Sequence, residues 1–402
     1  MKYKELVLRG YTGDLVVLVF QAVSIFLFIN NNPNYLYASW VLVLTLVNPI
    51  VGFTSMSMDS IIATEKEFHK VKLFLIFRLR NILIFLPIIL MINFFYESNA
   101  SPWFLLTIAY FLKSFESFVV SFRGLYYREK LISKVNLSKI FGKFGYLIGF
   151  GYFLQELDSL SLTLLIILFW NICVFFIYDI LISKNMRFLK LSKLLNYKNH
   201  NVLFKKYSFL GLNSFLQLIV ISLPQLLIER FLSLEILSFV GIVMLFNSAF
   251  DTVYLSSINS LRKSYSELVN YREGLNRFIK KIISLFIFYL VSLLIIFNFI
   301  GDTLFSIYNQ NFLFQIEVMT LVLLGSFLFY TANVINFEYF VNREVVKIFR
   351  LLCARALCTA LLSYYFVIEF KEYSFGLIYF CSNLIYLLYS LINKRKTTLK
   401  NF

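Results

Sequence analysis

Apolar residues run through this chain in long unbroken blocks rather than in alternation. Twelve such blocks can be marked, roughly at 8–29, 36–62, 73–96, 102–123, 137–155, 160–182, 207–228, 235–261, 279–300, 316–341, 348–368 and 374–392. Each is close to the ~20 residues an α-helix needs to cross a bilayer, and none shows the ~10-residue dyad pattern of a barrel strand. The pattern predicts an all-α integral membrane protein of about twelve transmembrane helices. Blocks 3 and 5 carry Arg78, Arg80, Lys139 and Lys143 near one end and fit the pattern least well.

The polar connections divide by sign. Numbering them alternately puts 34 of the 38 Lys and Arg on one side, with only Arg230 and Lys371 on the other and Lys113 and Arg355 inside spans. The second side is acidic, with Glu97, Glu156, Asp158, Glu229, Glu235, Asp302, Glu317, Glu369 and Glu372. The positive-inside rule then places both termini in the cytoplasm. A missed span would have put basic loops on both sides. Lys2, Lys4 and Arg9 precede the first block with no small-residue cleavage site, so that block is expected to be a retained span.

The halves look related. Residues 4–62 and 206–260 both read as helix, short outer turn and long helix, and Asn48 and Asn247 correspond under a shift of 199. Six plus six spans in one orientation is a parallel-repeat transporter plan. The expected organisation is an N-terminal six-helix lobe at 1–183, a basic cytoplasmic linker at 184–206 and a C-terminal six-helix lobe at 207–402.

Composition agrees: 59% of residues are apolar, including 48 Phe and 26 Tyr, and only 15% are charged. The net charge of +16 is a topological signal that also favours anionic lipid headgroups, and it gives no reason to expect nucleic acid. Cys173, Cys353, Cys358 and Cys381 fall inside apolar runs and read as small hydrophobes. His69 and His200 read as loop residues, and Glu65 and Glu67 near His69 sit among lysines. No metal site, cofactor motif or phosphate-cradling loop is present in the sequence, so neither a cofactor nor an enzyme is expected.

Charges inside the spans are the candidates for function. Counting from Pro102, Lys113 lies about 16 Å along its helix, near the midplane of a core about 30 Å thick. A charge there costs about 2.5–3.5 kcal/mol on the insertion scale. Glu116 is one turn away, and Lys113, Glu116, Ser117, Val120, Arg123 and Gly124 form an expected polar stripe from midplane to cytoplasm. Two readings stand: an ion pair that fixes helix packing, or the lining of a hydrophilic path. Asp14, Asp251 and Arg355 lie at depth in other spans and point to one shared cavity. Asp59, Asp179 and Glu338 lie near span ends, where snorkelling or capping suffices. Gly145 and Gly149 make a small-xxx-small spacing for close helix packing, with bending as the alternative. Pro49, Pro87 and Pro224 are in-span kink candidates.

Three features carry a family resemblance. Block 4 leaves the membrane as SFRGLYYREKLISKVNLSKI. The second half opens as FKKYSFLGLNSFLQLIVISLPQLLIERFLSLEILSFVGIVMLFNS. Length, span count and terminus placement complete the pattern. The chain resembles the polysaccharide-exporter flippases, the O-antigen-type lipid-linked oligosaccharide translocases of the multidrug/oligosaccharidyl-lipid/polysaccharide (MOP) superfamily. The bare NNNPN turn departs from relatives with a glycine in that turn.

The resemblance implies a two-lobed, MATE-like bundle around a central cavity, working by alternating access in the bacterial cytoplasmic (inner) membrane. Its substrate would be an undecaprenyl-pyrophosphate-linked oligosaccharide repeat unit, with membrane lipids, a polysaccharide polymerase and glycosyltransferases as partners. Lys113, Arg123 and Arg355 would meet the pyrophosphate. Asp14, Glu116, Asp251 and Asn247 would bind a coupling ion or line the cavity. The competing readings are a drug/cation antiporter of the same superfamily and a membrane polymerase or ligase acting on lipid-linked sugars.

Overall fold

The structure, a computed structural model, describes residues 3–56, 58, 62, 68–95, 103–128, 131–182, 197–268, 272–308, 315–341 and 344–400. Among these, secondary structure is entirely helical. The helices are α1 (Tyr3–Asn31), α2 (Asn34–Ser55), α3 (Phe68–Ile84, resuming as Leu86–Phe95) and α4 (Trp103–Arg128). Helix α5 (Ile132–Ile148) continues through a π-helical turn, Gly149–Phe153, into Leu154–Leu157. Helix α6 (Leu160–Val174) continues as a π-helical stretch, Phe175–Ile182. Then come α7 (Tyr197–Phe231), α8 (Leu234–Leu268), α9 (Arg272–Tyr308), α10 (Ile316–Val341), α11 (Val345–Phe370) and α12 (Ser374–Lys400).

These match the twelve apolar blocks one for one. Nine described stretches are long and apolar enough to span a membrane, and one of them, Val346–Lys394, holds both α11 and α12. The other two helices, α5 and α8, are the ones whose apolar runs are interrupted, α5 by lysines and α8 by Asp251. His69 and His200 fall in α3 and α7, not in loops, because both helices begin earlier than their apolar blocks. Asp59, Glu65 and Glu67, and the side chain of Glu338, lie outside what is described.

The chain divides into two compact units, Met1–Leu218 and Ile219–Phe402, with the boundary inside α7. In lipid, apolar side chains gain little from leaving the solvent, so helices associate through close backbone approach and hydrogen bonds. Glycines on α5 supply that approach in the first unit. A Cβ on Gly145 would lie 2.3 Å from the Trp170 ring of α6, and one on Gly149 would lie 2.5 Å from Ile167. Trp170 closes the same contact by donating its indole N–H to the Phe141 carbonyl at 2.8 Å. The opposite side of α5 meets α1 at Gly13, where a Cβ would sit 2.0 Å from Asn136. Helices α4 and α6 join through Phe175, whose ring lies 5.1–5.7 Å from Phe115, Phe118 and Phe122.

The prolines act unequally. Helix α3 breaks at Phe85, two residues before Pro87, whose ring and missing N–H remove one ladder bond. Pro49 and Pro224 lie inside continuous α2 and α7.

In the second unit α10 and α12 cross closely. A Cβ on Gly325 would be 2.7 Å from Tyr379, and one on Gly376 would be 3.1 Å from Leu321.

Enlarging Gly145 to Val should therefore lower the unfolding free energy by about 1–3 kcal/mol, the usual cost of overpacking. Thermal melts of the detergent-purified protein check this, with L137A, at an exposed position of the same helix, as reference. An unchanged melting temperature would remove Gly145 from the α5–α6 contact.

Candidate functional site

Helix α5 positions most of the charge in the first unit. Its stripe of small residues holds it against α6, and the residues beside that stripe then meet α1 and α4. Lys139 Nζ pairs with Asp14 Oδ1 of α1 at 2.6 Å. Lys143 Nζ lies 3.6 Å from Glu116 Oε1, and Lys113 Nζ lies 2.9 Å from Glu116 Oε2. Lys113 also donates to the Tyr146 hydroxyl at 3.0 Å. One carboxylate is thus shared by two ammoniums and flanked by a phenol.

Aromatic rings complete the surround. Lys113 Nζ sits 5.5 Å from the Trp40 ring centroid and 5.1 Å from that of Tyr146, and Lys143 Nζ sits 4.6 Å from Tyr146. A cation near an aromatic face gains about 0.5–2 kcal/mol, more as water is removed. The three charged side chains are 18–26% exposed. They are partly accessible, and their formal charges sum to one positive.

The expected stripe splits. Ser117 is one residue beyond Glu116, about 100° around the helix. It accepts from Arg78 Nη2 of α3 at 2.6 Å and so leaves the face of Lys113 and Glu116. Arg123 stays on the α5 side, where its Nε donates to Ser138 at 2.9 Å. Ser138 in turn donates to Asp179 Oδ2 at 2.8 Å, and the Tyr126 hydroxyl donates to Asp179 Oδ1 at 3.1 Å. Asp179 is fully buried in this network, inside the π-helical stretch of α6, and is not a snorkelling end residue.

Arg78 is likewise fully buried, not an intrusion at a helix end. It donates to Thr54 at 3.0 Å, and Asn81 donates to the Thr54 carbonyl at 3.3 Å. Together they close the C-terminal end of α2, which turns out at Met56 with φ 47°. Sequence reasoning passed over Lys143, Tyr146 and Trp40 as well. The first two were findable: Lys139, Lys143 and Tyr146 recur at i, i+4 and i+7 on one helix face.

The buried polar contacts of the second unit come mostly from amides and hydroxyls, with one ion pair, Lys347 to Glu344 at 2.7 Å, nearer the surface. Asn247 and Asp251 stand one turn apart on α8. Ser326 of α10 donates to Asn247 Oδ1 at 2.8 Å and shares a hydrogen bond with Tyr379 of α12 at 3.2 Å. Tyr330 donates to Asp251, and its ring stacks on Tyr254 with centroids 3.5 Å apart. Arg355 of α11 is 1% exposed. Its guanidinium carbon lies 4.3 Å from the Phe329 centroid and 5.8 Å from that of Tyr386. No described carboxylate is within 4 Å of it. The described residues hold no group of His, Cys, Asp or Glu suited to a metal ion. Among them all four cysteines are free and half-buried.

No protein-family model and no curated protein matches the chain. Solved structures do. An outward-facing multidrug-resistance MATE family transporter of the MOP superfamily aligns over 100% of this chain and 97% of its own, with TM-score 0.68 and 14% identity. An inward-facing conformation of such a transporter aligns over 98% and 99%, with TM-score 0.68 and 12% identity. A MOP superfamily transporter from Pyrococcus furiosus, described as having a binding pocket of reversed polarity that suggests a different function, aligns over 99% and 96%, with TM-score 0.67 and 13% identity. The chain therefore has the two-lobed helical membrane fold of the MATE transporters.

The shared carboxylate makes the cluster asymmetric. E116Q leaves two neighbouring ammoniums without a counter-charge, whereas K113Q leaves the Lys143–Glu116 pair. E116Q should destabilise by about 1–3 kcal/mol more than K113Q, since an uncompensated charge in a poorly hydrated site is the costlier outcome. Melting curves of the two variants decide it. Equal losses would mean that the three groups are separately solvated.

Proposed function

We propose that this chain is a multi-pass transporter of the bacterial cytoplasmic membrane that moves an undecaprenyl-pyrophosphate-linked oligosaccharide repeat unit to the outer leaflet by alternating access. The MATE-type fold supports transport as the activity. The observation that carries the substrate class is the net positive cluster of Lys113 and Lys143 around the single carboxylate of Glu116. A pyrophosphate presents acceptor oxygens with full negative charge, and ammoniums at partly dehydrated sites hold such groups strongly.

In this reading Lys113 and Lys143 bind the pyrophosphate, and Glu116 holds them in place between substrates. Arg123, fixed by Ser138, serves the anionic headgroup at the entry to that path. The sugar would meet the polar side chains of the spans. Asp251, hydrogen-bonded by Tyr330, would take the coupling H⁺ or Na⁺, with Asn247 beside it and Asp14 locked to Lys139. Glycosyltransferases would supply the repeat unit and a polymerase would consume it.

A drug or cation antiporter is the second reading, favoured by Asp251 as an acidic group at depth in the second unit. A cationic drug, however, would be repelled by the lysine cluster, and that asymmetry favours the anionic substrate.

In cells lacking the gene, wild-type chain should restore surface glycan. K113A/K143A should lower restoration by at least about tenfold at equal membrane abundance, given roughly 1.5–3 kcal/mol per charge-assisted contact. Full rescue by the double variant would defeat the anionic-substrate reading. Dye efflux that depends on Asp251 and ignores both lysines would establish the antiporter instead. In the null cells, repeat units should collect unpolymerised on the cytoplasmic face. Their appearance on the outer face would move the lost step to polymerisation.

A further inference from the structure

Among the described residues of the second unit, Arg355 is a buried cation with no carboxylate within 4 Å. It is 1% exposed and lies between the rings of Phe329 and Tyr386. The nearby acid, Asp251, is engaged by Tyr330. Ring faces offset only part of the cost of burying a cation, and a buried charge is ordinarily matched by an opposite charge as well as hydrogen bonds.

The neighbouring polar groups are mostly donors, and several have no partner. Arg355 Nε, Asn247 Nδ2 and both the Nδ2 and Oδ1 of Asn383 are buried and make no hydrogen bond. They gather around one hydroxyl. Tyr379 lies beside the guanidinium and hydrogen-bonds with Ser326, which binds the other end of the Asn247 amide. Asn383 is one turn along α12 from Tyr379, on the face that also bears Tyr386. Three helices, α8, α11 and α12, thus bring N–H groups and a single full positive charge to one enclosed point, and α10 adds the Ser326 hydroxyl and the Phe329 ring.

Buried unpaired donors in a folded protein call for a specific partner. A carboxylate-bearing or phosphorylated ligand would need access that these residues, each at most 1% exposed, do not give. A divalent anion would leave excess charge. We propose that the second unit binds a small monovalent anion of the halide class, held by Arg355, Asn383 and Asn247 beneath the Tyr379 hydroxyl. This site is separate from the lysine cluster of the first unit and does not depend on what the protein transports. Its structural effect is to tie α8, α11 and α12 together, so that α11 keeps its arginine inside the bundle.

The test uses the full chain purified in detergent, with gluconate replaced by chloride or bromide at constant ionic strength. Halide should raise the unfolding temperature by a few degrees in a saturable way. It should also give ³⁵Cl line broadening that bromide reverses. R355M should abolish both effects, and K113M/K143M should keep both. Should R355M not fold, N383L retains the arginine and removes one amide, and its half-saturating halide concentration should rise several-fold. No halide-specific effect in the wild type overturns the site and leaves these donors to water. An N383L response equal to wild type overturns it, as does a response lost in K113M/K143M but kept in R355M.

Discussion

Helix α5 cannot be moved without dismantling the charge arrangement of the first unit. A bilayer offers no solvent to an ammonium at mid-depth, so such a charge calls for a counterpart on its own helix or a neighbouring one. Lys143 of α5 reaches Glu116 on α4, and α5 is itself seated on α6, where Gly142, Gly145 and Gly149 present no side chain to Asn171, Trp170 and Ile167. The small residues and the charged residues of α5 are therefore one device. The first fix the backbone spacing, and the second use it.

The two units answer the same constraint differently. The first pairs full charges: Lys139 with Asp14, Lys113 and Lys143 with Glu116, and Arg123 through Ser138 with Asp179. The second relies mostly on amides, hydroxyls and rings, with Asp251 bonded to Tyr330 and Arg355 seated against Phe329. Hydrogen bonds between membrane helices average about 0.6 kcal/mol in measured cases, so the second network gains more in specificity than in stability. The halves, expected from Asn48 and Asn247 to be related, carry unlike chemistry.

The helical architecture was legible because its signal is additive: an uninterrupted apolar block of twenty residues outweighs any single exception. Blocks 6 and 10 coincide with helices at 160–182 and 316–341. Individual side chains were less legible for a related reason. Arg78 and Asp179 were read by distance from a block's end, yet each is buried against residues far along the chain, Arg78 on Thr54 and Ser117 and Asp179 on Tyr126 and Ser138. Depth can be counted in one helix, but burial depends on what the next helix brings. Ser117 shows the same limit at short range. Grouping it with Glu116 ignored the 100° that separates consecutive residues, and that rotation is what hands it to Arg78.

Two cations around one anion also suit the proposed anionic substrate. With both lysines neutralised, an incoming phosphate group would have to break existing pairs without gain, and an anion would not prefer the site. With no carboxylate at all, two ammoniums near each other and near Tyr146 would repel, and their side chains would turn toward whatever water they could reach. Sharing Glu116 keeps both lysines in register, at 2.9 Å and 3.6 Å, while leaving one positive charge unmatched. The longer of the two contacts is the one a competing oxyanion would displace first. Under the proposed function, Lys143 is therefore the residue expected to change partner when an anionic substrate enters, while Lys113, held also by Tyr146 and the Trp40 face, stays in place.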